Sequence, residues 1–132
     1  QYCGMEAKDV LIKVDDDGVG GGVTDQGGED FNFCPIRAGG NAIDPERYPN
    51  RRSEMWFAVA KRADEGRLSL AKLDPDTRRE LRRQAMAPTW KQDSEGRRVV
   101  EAKDVTKKRL KRSPDGMDSL NLAHAPLASM LL

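Results

Sequence analysis

Apolar and polar positions fall into distinct blocks along this chain. Val10-Leu11-Ile12-Lys13-Val14 is a β-branched, apolar run that stops at Asp15-Asp16-Asp17. Such runs favour a half-buried pleated surface and carboxylates favour water, so the junction reads as a strand delivering acid to a sheet edge. Gly18 to Gly22 follows, with Val19 interposed, and lets the backbone turn sharply and leave room for an approaching group. Val19 to Gly28 reads as a short helix weakened by Gly27-Gly28. Phe31 to Ile36 alternates as a second strand, and Ala38 to Asn50 is loop. No element is recognisable in residues 1–9.

The clearest helix spans Asn50 to Glu65. Asn50 caps it, Met55, Val59 and Arg62 recur at helical spacing beside Trp56 and Ala60, and Gly66 ends it. Arg67-Leu68-Ser69-Leu70 alternates as a short strand. Asp74-Pro75-Asp76 starts a second helix, which runs to Met86 and stops at Ala87-Pro88. Thr89 to Gln92 and Arg98 to Glu101 flank Asp93-Ser94-Glu95-Gly96 as a β-hairpin. Lys103 to Arg112 is a basic helix. Ser113-Pro114-Asp115 then restarts helix, with Ser at the cap, Pro in the first helical position and acid in the first turn. Strands and helices mix along the chain, so the fold class is α/β.

At 132 residues the chain suits one domain with a modest core. No apolar run approaches the ~20 residues of a membrane span, and the first residues carry no signal-peptide pattern. Cys3 and Cys34 lack metal-ligand spacing and suit free thiols in a reducing compartment, so a cytoplasmic location is expected. The net charge of +1 conceals an asymmetry: acids crowd the first third, while bases crowd Arg78-Arg79, Arg82-Arg83, Arg97-Arg98 and Lys107-Lys108-Arg109. An acidic centre with basic surroundings suits phosphodiester chemistry, although charge runs on helices also serve as solvated faces.

Three phosphate- or ion-binding motifs fail on the opening stretch. A phosphate loop needs Gly-Lys-Ser/Thr, and Gly21-Gly22-Val23-Thr24 has no lysine. A dinucleotide fingerprint begun at Gly18 would need glycine at Val23. A calcium loop with its glycine at Gly18 would put Lys13 and Thr24 where acids belong. A carboxylate cluster remains. Magnesium binds through few carboxylates plus waters and phosphates, and two such ions can cut a phosphodiester. Asp115 and Asp118, three apart on one helix, supply a second acidic source beside Asp15. His124 is read as surface or core. The alternatives stay open here: Asp15–Asp17 also suits a polar turn, and Asp115 suits a helix N-terminus.

The segment from Val14 through Asp15, Gly18, Gly20 and Thr24 to Asp25 resembles a block of the nuclease domain of tailed-phage large terminase subunits. The resemblance continues in order through Tyr48–Trp56, Gly66–Leu70, Trp90–Arg97, Glu101–Asp104 and Arg109–Leu122, covering roughly residues 8–125. It implies a ribonuclease-H-like mixed sheet flanked by helices, and a partial domain over 1–132, incomplete at the N-terminus and without the packaging ATPase. It implies cleavage of concatemeric viral DNA with Mg²⁺ or Mn²⁺ during genome packaging, two ions in the complete domain. Asp15 matches the family's second acidic position and Asp115 its third, with Asp118 sharing that role. Asp16 and Asp17 lie around the metal ligands. Lys103, Lys107, Lys108 and Arg112 are expected on DNA phosphates. Double-stranded DNA is the implied substrate; the terminase small subunit and portal protein are implied partners of the full-length protein, with no membrane. The first catalytic acid has no strand before residue 10, so an inactive remnant or a DNA-binding module is the alternative. Loss of that strand is also expected to leave the first strand's edge open to association.

Overall fold

The computed structural model describes residues 4–17 and 30–130. Strand β1 (Leu11–Asp15) pairs in parallel with β2 (Asn32–Ile36), running from Leu11 opposite Asn32 to Asp15 opposite Ile36. The backbone N–H of Asp16 donates to Ile36 O, extending the contact one step beyond the strand end. The expected glycine turn and short helix of 18–28 lie outside the described residues. Ala7–Asp9 forms a single 3₁₀ turn ahead of β1, where the sequence pattern shows no element.

Helix α1 (Arg51–Asp64) is the centre of the molecule. Asn50 Oδ1 accepts from Ser53 N–H at its start, satisfying one of the donors a helix N-terminus leaves open. Its Trp56 and Val59 pack with Leu81, Val100 and Met117, while its Met55 packs with Ile36 and Ala125. One helix therefore supplies both parts of the core. Helix α2 (Pro75–Met86) starts on Asp74, whose carboxylate accepts from the N–H groups of Asp76 and Thr77. Strands β3 (Trp90–Gln92) and β4 (Arg98–Val100) form the expected antiparallel hairpin. Val100 N–H donates to Ser53 Oγ at 3.0 Å, fastening the hairpin to α1 through a fully buried hydroxyl.

Helix α3 (Lys103–Leu110) is followed by α4 (Asp115–Ala123). Two local expectations change. Ser113 does not cap α4: Pro114 occupies the cap position, with Asp118 N–H donating to Pro114 O, so the helix starts one residue later than the Ser-Pro-Asp pattern indicates. Arg67–Leu70 pairs with no strand among the described residues. Leu68 and Leu70, two apart, instead lay their side chains against the core from an extended segment. Their alternation reflects burial of one side, which an extended chain achieves without a ladder.

Candidate functional site

The C-terminal end of β1, the first turn of α1, the start of α3 and the middle of α4 surround one cleft of about 620 Å³. The three consecutive acids do not act alike: β1 ends at Asp15, and Asp16 and Asp17 follow in the bend beyond it. Asp15 and Asp17 line the cleft, whereas Asp16 pairs with Arg37 Nε at 3.2 Å. Asp15 Oδ1 accepts from Asp17 N–H at 3.1 Å, and Asp17 Oδ2 accepts from Gly39 N–H at 2.8 Å. The loop after β2 thus holds the acidic strand end.

From the opposite wall α4 presents Asp118 and Asn121, three apart and on one side of the helix. Asp115 is exposed at the first helical position and is not part of the cleft lining. At 1.5 Å rise per residue it lies about 4.5 Å N-terminal to Asp118 along the axis, whereas the cleft follows the turn C-terminal to Asp118. Asp115 still favours the helix N-terminus through its charge.

The height of α4 beside β1 is set by Lys13. Its ammonium donates to Ala123 O at 3.1 Å and Ala125 O at 2.8 Å, two carbonyls at the helix C-terminal end. Burial lowers the Lys13 pKa. Arg51, itself buried and paired with Glu54, donates to Pro126 O. Glu54 in turn accepts from the N–H groups of Ile43 and Asp44, so the loop, α1 and the end of α4 form one linked unit.

Two cations face Asp118. Lys103 Nζ stands 2.6 Å from Asp118 Oδ2, and Arg52 Nη1 lies 3.9 Å from Oδ1. The lysine contact is a charge contact without hydrogen-bond alignment, and the buried Oδ2 has no donor directed at it. Arg52 also donates from Nε to Glu101 O at 3.3 Å and lies over the Trp56 ring. Burial is the leading effect on its guanidinium and lowers its pKa, against the raising influence of Asp118 and Glu101. Among the described residues, four of the five buried side-chain polar atoms without a hydrogen-bond partner belong to this cleft: Arg52 Nη2, Trp56 Nε1, Asp118 Oδ2 and Asn121 Oδ1. Buried polar groups are nearly always paired, and here four without a partner among the described residues gather at one cleft.

The unpaired set has two halves, acceptor oxygens on α4 and N–H donors on α1. A cation satisfies the first and an anion such as a phosphate the second. The oxygens suit a hard divalent cation in kind. They fall short in number, because among the described residues no three side chains of His, Cys, Asp or Glu group closely enough to hold an ion.

Of the expected DNA-contacting bases, Lys103 alone lines the cleft. Lys107 and Lys108 are exposed on α3, and Arg112 pairs with Glu80 at 3.3 Å. Sequence reading missed Arg52, Trp56 and Asn121. The spacing from Asp118 was a signal for Asn121; nothing in the Arg51-Arg52 pair told the structural arginine from the one facing the cleft. His124 stays outside the cleft lining, half-buried, with its pKa lowered by burial and then by Arg62 and Lys13.

No protein-family model and no curated protein sequence matches the chain. Solved structures do. The nuclease domain of the large terminase subunit gp2 of bacterial virus Sf6 superposes with a TM-score of 0.67 at 18% identity, over 89% of this chain and 66% of that one. A point mutant of that domain with manganese gives a TM-score of 0.68 at 16% identity over the same shares. The mutant with calcium gives 0.68 at 16% identity, over 89% of this chain and 65% of that one. The chain thus spans just under two thirds of the length of these domains. At such identities the likeness establishes the architecture: the chain has the ribonuclease-H-like α/β fold of a terminase nuclease domain.

Proposed function

We propose that this chain is a metal-dependent endonuclease domain that cleaves concatemeric viral DNA during phage genome packaging. The observation that carries this reading is the cleft that gathers the carboxylates Asp15, Asp17 and Asp118 with the cations Arg52 and Lys103. A metal-bound phosphodiester needs both. The Sf6 domains with manganese and calcium support a divalent cation, Mg²⁺ or Mn²⁺. Asp15 and Asp118 would hold the ion in this proposal, with Asp17 beside them. Asp115 keeps the helix N-terminus and leaves the metal to Asp118.

A divalent cation held by Asp15 and Asp118 would supply an activated water and charge stabilisation of the leaving oxygen. The chain's own residues do the rest. Arg52 Nη2 and Trp56 Nε1 donate to phosphate oxygens, the guanidinium held in place by Glu101 O and the Trp56 ring. Lys103 neutralises Asp118 and adds positive charge at the cleft. Lys107 and Lys108 continue the phosphate-contacting surface along α3, with Arg112 beyond them. Double-stranded DNA is the substrate in the host cytoplasm, and the small subunit and portal are partners of the full-length protein.

A second reading, DNA binding without cleavage, draws on the shortage of convergent carboxylates. Nicking of supercoiled plasmid separates the two. Cleavage that needs Mn²⁺, stops with chelator and is lost in Asp15→Asn supports the endonuclease. Salt-sensitive duplex binding with no nicking, by a chain shown folded by circular dichroism, supports the binding module.

A further inference from the structure

Arg78, Arg79 and Arg82 form a stripe on the exposed side of α2, because residues three and four apart share a helix face. With Pro75 they line a shallow concavity of about 270 Å³ to which no acidic side chain contributes. The acids of α2 are engaged elsewhere. Asp76 pairs with Arg79 at 3.2 Å, and Glu80 pairs with Arg83 at 3.2 Å and with Arg112 at 3.3 Å. Arg78 and Arg82 have no ion pair among the described residues. Like charges four apart repel on a helix, and Arg78 stands near the positive end of α2, where acids are favoured. Neither arginine serves the packing of α2, whose buried residues are Leu81 and Gln84. An anion laid across the stripe relieves both strains.

Other cations continue the stripe toward the cleft. Helix α3 starts at Lys103, which lines the cleft, and carries exposed Lys107 and Lys108. Just beyond its end, Arg112 reaches Glu80 in the middle of α2. Positive charge therefore leads from the cleft along α3 and onto α2. Arg78 and Arg82 are spaced about 6 Å apart along the helix axis, and guanidinium groups take phosphate oxygens through paired N–H donors. A nucleic-acid backbone carries its charges at regular intervals and suits such a line of cations.

We propose that Arg78 and Arg82 form a second phosphate-binding surface, on α2, which holds the backbone of duplex DNA outside the cleft. The inference rests on DNA being the substrate and needs no metal ion. Its test is the binding of a fluorescein-labelled DNA duplex to the full chain, followed by anisotropy over a salt series with chelator present. Arg78→Gln/Arg82→Gln is compared with the wild type and with Lys61→Gln/Arg67→Gln, which removes the same charge from exposed positions at the end of α1. Each phosphate contact contributes about 0.9 to the slope of log affinity against log salt, so the slope is expected to become shallower by about two in the arginine variant and to stay unchanged in the control. A slope retained in Arg78→Lys/Arg82→Lys shows that the glutamines act by removing charge, not by disturbing α2. Equal slopes in the wild type and Arg78→Gln/Arg82→Gln overturn the proposal and leave the DNA reading standing. Equal losses in both glutamine variants reduce the effect to net charge and overturn it as well. Arg82 also borders an apolar hollow beside Leu68 and Leu70, where an acidic protein segment would dock. Poly-L-glutamate that binds the wild type but not Arg78→Gln/Arg82→Gln, with DNA binding equal in the two, assigns the stripe to such a segment and overturns the phosphate role. Absence of salt-sensitive duplex binding by the wild type overturns the DNA reading together with the proposal.

Discussion

Asp118 and Glu101 are carboxylates a short distance apart in function and opposite in situation. Glu101 accepts from Thr89, Thr106 and Arg109, and its pKa falls to about 2, chiefly through the Arg109 hydrogen bonds. A carboxylate whose folded pKa lies below its ordinary 4.5 stabilises the fold above that value, and the contribution fades as pH falls from 4.5 toward 2. Thermal melts across that range are expected to show the wild type losing stability on acidification and Glu101→Gln losing distinctly less. Glu101 is thus occupied by the fold, while Asp118 lines the cleft with Lys103 and Arg52 beside it. At this scale the sequence was partly legible. The strand-end pattern brings Asp15 into view and the helix spacing Asp118, and both line the cleft; Asp16 and Asp17, read alike, part company in the bend beyond β1. That Asp118, Arg52 and Asn121 line the cleft, and Asp115 does not, depends on which turn of α4 and which arginine of α1 face it. That depends on how the helices are docked, which no local pattern records.

The elements were the most legible level, because caps and turns act locally. Asn50, Asp74 and the Asp93–Gly96 turn each produced the structure their chemistry favours. The misreadings came where tertiary contacts decide. Leu68 and Leu70 alternate like a strand but serve as two anchors of an extended segment, and α4 begins after Pro114 because its first turn is fixed by packing on α2. There Gln84 Oε1 accepts from Met117 N–H at 2.9 Å, taking the place of a side-chain cap. Gln84→Ala leaves that buried N–H unpaired and is expected to lower stability by about 1–3 kcal/mol in denaturant titration. Lys13 plays the corresponding part at the other end of α4. Lys13→Met is expected to loosen the end of α4, read as faster amide hydrogen exchange at Ala123 and Ala125 than at α2, whose contacts it does not touch.

For the whole molecule, the sheet is the weak side. Among the described residues β1 pairs with β2 alone, and Met5, Val10, Leu11 and Phe31 are exposed around that pair. An open edge with apolar flanks invites pairing with another chain. Sedimentation is expected to show concentration-dependent association that Leu11→Lys reduces, and a monomer at all concentrations would contradict this. The helical side is different: α1 joins both parts of the core and carries the cleft's donors, so site and core share one scaffold.

The most direct measurement compares Mn²⁺-dependent plasmid nicking by Asp118→Asn and Asp115→Asn with that of the wild type. The account predicts that nicking is lost in Asp118→Asn and kept in Asp115→Asn, because Asp118 lines the cleft and Asp115 does not. Nicking that survives in Asp118→Asn, or that fails only in Asp115→Asn, would contradict it.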